Sequence, residues 1–163
     1  MLAALVLALA TATPSPAVIY EAAARSAGNR RTEAVSVARA LLIRPHLASI
    51  TKVRVDGAAG IAPVAGIVLS GTKFHAHDLS WEAMLREGER LAALSFAADP
   101  RLAEVDIWAT VPLNLAVGTP FVSGDLAVPD SAVVFTRTQR RGEAPVLWWD
   151  RVWRAKAFPA RAT

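Results

Sequence analysis

Cysteine is missing altogether from the 163 residues. Its absence excludes disulfides, thiolate nucleophiles, cysteine acylation and thiolate zinc sites, so stability has to come from packing. Histidine occurs only at His46, His75 and His77, and arginine rather than lysine carries most of the positive charge. Motifs with a known mechanism are missing as well. There is no H-E-x-x-H helix, no phosphate-cradling glycine loop, and no pair of carboxylates on one helix face. Ser70 stands in GIVLSG, which lacks the spacing of a nucleophile elbow. Heptads, internal repeats and low-complexity blocks are absent too.

What is present is a largely apolar chain. Hydrophobic residues make up 53% and the mean hydropathy is +0.33, much of it alanine, which adds little burial per residue. A chain of this length and composition forms one domain with a real core and is not disordered. The 18 basic and 14 acidic side chains leave a net charge of +4. That balance permits a nucleic-acid or membrane-surface partner. The basic residues are dispersed over Arg30 and Arg31, Arg137 to Arg141 and the C-terminus, with no run of strand aromatics for base stacking, so no nucleic-acid partner is expected.

The N-terminal stretch MLAALVLALATATPSPA has an apolar run from Leu2 to Ala10, followed by small residues and prolines. It reads as an export signal over residues 1–17, although no basic residue precedes the run. The run is too short for the roughly 20 residues that span a bilayer. The expectation is a signal followed by a single domain over 18–163, located in the periplasm or outside the cell.

Periodicity then sets the elements. Ala34, Val37, Ala38, Leu41 and Leu42 recur at helical spacing after Thr32, a candidate cap, with Pro45 ending the helix. TKVRVD alternates as a half-buried strand, and VAGIVLSGTKF returns after a glycine and proline loop as its hairpin partner. Ser80 to about Ala97 reads as a second helix with Trp81, Met84, Leu85, Gly88, Leu91, Ala92 and Ser95 on one stripe. AEVDIWATV and SAVVFTRTQR read as further strands, separated by the proline-rich loop 112–130. Placing the strand at 52–56 beside that at 104–110 would bring Lys52 and Arg54 to the face of Glu104 and Asp106. The fold class is α+β: a mostly antiparallel sheet of about four strands with helices on one face.

Two segments carry chemistry worth weighing. In KFHAHDLSWE, His75 and His77 lie on the same side of an extended chain and can share a divalent metal, with Asp78 or His46 as a third ligand. The same residues also make an ordinary strand end and helix start, with Ser80 or Asp78 as the cap. The C-terminal VLWWDRVWRAKAF mixes Trp148, Trp149 and Trp153 with Arg151 and Arg154. Such a mixture recognises a partner or a membrane surface, or else closes a small core with its arginine heads in solvent. Together these readings point to an exported cell-envelope binding or assembly module. It would have no catalytic activity and no cofactor, and would recognise a protein or envelope component through the tryptophan and arginine segment and loop 112–130. The alternative is a hydrolase-like enzyme dependent on a metal at His75 and His77.

Overall fold

The computed structural model of the chain describes residues 29–43, 46–70, 80–112 and 131–157. Three helices, α1 (Arg31–Leu42), α2 (Trp81–Ala98) and α3 (Arg151–Ala157), accompany five strands. The strands are β1 (Ser49–Asp56), β2 (Val64–Ser70), β3 (Glu104–Pro112), β4 (Ser131–Arg140) and β5 (Val146–Trp149). They form one sheet in sequence order. The pairs β1·β2, β3·β4 and β4·β5 are antiparallel, whereas β2 and β3 are parallel because α2 carries the chain across between them. This is the α+β domain expected from the periodicities.

Alternation along each strand sorts the side chains onto two faces. Val53 and Val55, then Ala65, Ile67 and Leu69, then Val105, Ile107 and Ala109 stand in register and meet the helices. Beneath them lie Ala34, Val37, Ala38 and Leu41 of α1 and Met84 and Leu91 of α2, all in one continuous core. The opposite face carries Arg54, Asp56, Glu104, Asp106, Trp108, Thr136 and Thr138. Val68, Thr110 and Val133 on that side are also buried.

Local chemistry accounts for the helix ends. The Ser80 hydroxyl accepts from the Ala83 amide at 3.0 Å, so Ser80 is the N-cap of α2. Thr32 does not cap α1; the cap position is Arg30, which makes no side-chain cap bond. The reason lies upstream. Arg30 donates its amide to the Val55 carbonyl and its guanidinium to the Gly57 and Ala58 carbonyls, which pins the chain before Arg31 and starts the helix there.

Two expectations about the sheet change. The strands at 52–56 and 104–110 are not neighbours, because β2 lies between them and pairs with both. The charged side chains still share a face, but Arg54 pairs with Asp56, Glu104 with Arg140 at 2.8 Å, and Asp106 accepts from Thr138 at 2.5 Å. The sheet also has five strands rather than about four. The C-terminal segment splits at Asp150, whose amide donates to the Val134 carbonyl at 2.9 Å while its carboxylate accepts from the Trp153 amide at 2.6 Å. The strand period therefore holds before Asp150 and the helical period after it.

Candidate partner-binding surface

The five C-terminal residues singled out by the sequence separate into two groups. Trp149 faces the helices beside Phe135, with ring centroids 4.5 Å apart, and stacks on Trp81 at 4.3 Å. Trp153 lies 6.2 Å from Trp149 in a nearly parallel orientation and is 5% exposed. These rings close the core where α2 begins and α3 docks, and aromatic pairs at such separations add attraction beyond area burial.

Trp148, Arg151 and Arg154 point elsewhere. Trp148 is 42% exposed on the face away from the helices, across Thr136 from Trp108. Arg154 lies over the outer side of Trp81, its guanidinium carbon 3.8 Å from the ring centroid, and Arg151 is exposed at the start of α3. With them stand residues the sequence reading did not select. Val146, at 69% exposure, and Leu147 on β5, and Val152 on α3, are all large apolar side chains open to solvent. The cue lies in the run VLWW, where four apolar residues follow a polar turn.

β5 is the last strand of the sheet, paired with β4. Among the described residues its outer backbone edge has no strand partner. A short edge strand with exposed apolar side chains is the arrangement to which an extended segment of another chain adds.

The histidine pair and its aspartate lie outside the described residues, as do the 1–17 segment and residues 113–130. His46 is described, and it is not free to act as their third ligand. Its Nδ1 lies 2.5 Å from Glu87 Oε1 and its Nε2 lies 2.6 Å from the Leu41 carbonyl. Both ring nitrogens are thereby committed. Glu87 is itself buried on α2 at a position that the apolar stripe of that helix passes over. Among the described residues no group of three or more histidine, aspartate or glutamate side chains converges on a metal position. No described helix is long and apolar enough to cross a membrane. None of the family models, curated proteins or solved structures compared with the chain matches it.

Proposed function

We propose that the protein is an exported binding or assembly module of the cell envelope, without catalytic activity, that captures a protein partner at the corner formed by β5 and α3. The observation that carries this reading is the row of Val146, Leu147 and Trp148, exposed in consecutive positions on the last strand of the sheet beside Arg151 and Arg154. An extended partner segment would pair with the β5 backbone, set apolar side chains against Trp148 and Val152, and bring acidic groups to the arginines. The apolar N-terminal run supports the export part of the proposal.

The test combines contact mapping with binding. A photo-crosslinking residue at position 148 should trap a partner in cells, and the same residue at Arg39 on the exposed side of α1 should not. With that partner purified, Trp148→Ser should weaken binding about tenfold or more, as for an aromatic anchor. Trp149→Ser and Trp153→Ser should instead degrade the folded circular dichroism spectrum, because these rings belong to the core. Native binding by a folded Trp148→Ser variant would dispose of the proposal.

A further inference from the structure

Arg137 departs from the pattern of its own strand. It shares a face with Phe135, opposite Ile107, so a guanidinium stands where alternation calls for an apolar side chain. The residue is only 8% exposed. Its stem crosses α2 at Gly88, where even a Cβ would come within 3.1 Å of the Arg137 Cδ, so the missing side chain at Gly88 makes room for the arginine. One guanidinium nitrogen, Nη2, donates to Gln139 Oε1 at 2.8 Å. The Nε is buried with no hydrogen-bond partner, and among the described residues no carboxylate forms an ion pair with the group. A buried cation left this way is costly unless something pairs with it. Burial accordingly lowers the Arg137 pKa from its ordinary value, with the charge of Glu89 acting the other way.

The same side chain lines a cleft of about 340 Å³ between α2 and the end of β4. Ala92 and Phe96 supply an apolar wall, Gln139 and Arg141 a polar one, and Glu89 stands at the rim. Arg141, which also lines the cleft, is held in place by its Nε bond to the Leu102 carbonyl at 2.9 Å, by Nη2 bonds to the Phe96 and Asp99 carbonyls at 3.5 and 3.4 Å, and by stacking 4.5 Å from the Phe96 ring centroid, so its charge is fixed beside the cleft at little further entropic cost. We propose that this cleft is a binding site for a single small oxyanion, the carboxylate or phosphate group of a compact ligand, paired with Arg137 and seconded by Arg141. Planar guanidinium donors suit such groups. Glu89 opposes a second negative charge and thereby selects against polyanions. The site is separate from the β5 and α3 corner and does not depend on its role.

The test uses the intact protein with inorganic phosphate and with propionate as probes, at an ionic strength held constant with sodium chloride. At least one probe should give a saturable shift of the Arg137 Nε–H resonance and a higher melting temperature. Which of the two does so identifies the group. Arg137→Met retains the stem over Gly88 and should weaken binding about tenfold or more, the loss of charge-assisted hydrogen bonds. Glu89→Gln, an exposed change outside the core, should tighten binding whether or not the methionine variant folds. The proposal is overturned if neither probe saturates, if sodium chloride alone reproduces the shifts, if a folded Arg137→Met variant responds like the native protein, or if Glu89→Gln leaves affinity unchanged.

Discussion

Asp106 and Asp99 are both aspartates beside arginines, yet the fold moves their acidities in opposite directions. Burial raises the Asp106 pKa above the ordinary value of 3.8; the neighbouring Glu104 adds to this, and the Thr138 hydroxyl and Arg140 offset only part of it. The hydrogen bond from the Arg101 guanidinium lowers that of Asp99. The linkage signs follow. The contribution of Asp106 to stability is fully present below the unfolded value and is lost as pH rises through the folded one, so its ionised form is a net cost at neutral pH. Asp99 stabilises above its unfolded value and loses that contribution as pH falls through its depressed folded value. Asp106→Asn keeps an oxygen that accepts from Thr138 while removing the charge. It is expected to stabilise the fold at neutral pH by a small amount, below about 1 kcal/mol because solvent screens a half-buried group, and so to raise the melting temperature slightly. The gain should shrink on acidification below the ordinary aspartate value. Melting curves at the two pH values check this, and an equal gain at both would refute desolvation as the cause.

Between elements, the contact of most consequence is that of His46 with Glu87. His46 follows α1 and returns one ring nitrogen to the Leu41 carbonyl of that helix, while the other reaches Glu87 on α2. The side chains are 5% and 7% exposed, so water cannot readily replace this bond, although Glu87 also lies 3.8 Å from Arg90. Glu87→Ala would leave a buried imidazole nitrogen without its acceptor and is expected to cost about 3 kcal/mol, whereas Glu87→Gln retains an oxygen there and should cost about 1 kcal/mol. Urea unfolding of both variants measures the difference; equal losses would mean that Glu87 contributes only its bulk. This pair also marks where the sequence stops being legible. Alternation and helical stripes placed α1, α2 and β1 to β4 because each buries one face, and hydrophobic period reports that burial. Glu87 and Arg137 sit on those same faces as charged residues, and period alone reads a charge as solvent-facing. Their partners, His46 and the Gly88 notch, lie in other elements, so nothing local to either residue announces its burial. The order of strands was hidden for a similar reason: charge pattern put β1 beside β3, but the crossover through α2 places β2 between them.

Across the whole molecule, pairing is uneven in a way that assigns stability to parts. Strands β2, β3 and β4 are bonded along both edges, whereas β5 is four residues long and, among the described strands, pairs with β4 alone. The inner strands also hold Ile67, Ile107 and Phe135, all fully buried, while β5 exposes Val146, Leu147 and Trp148. What secures the C-terminal corner is the aromatic group of Trp149 and Trp153 with Trp81 and Phe135, together with the capping of α3 by Asp150. Local opening free energies follow such differences, running from near zero at frayed edges up to the global value in central strands. Native-state amide exchange is therefore expected to show Ile67 and Ile107 exchanging only through global unfolding, with opening energies that fall with denaturant as steeply as the equilibrium transition. The β5 amides should exchange through a smaller opening with a shallower dependence. Bound to a partner strand, β5 should gain protection while Ile67 and Ile107 change only as much as global stability does. Equal protection of β5 and β3 in the free protein would mean that the corner unfolds only with the core, and an edge so rigidly held would have to receive its partner without first loosening.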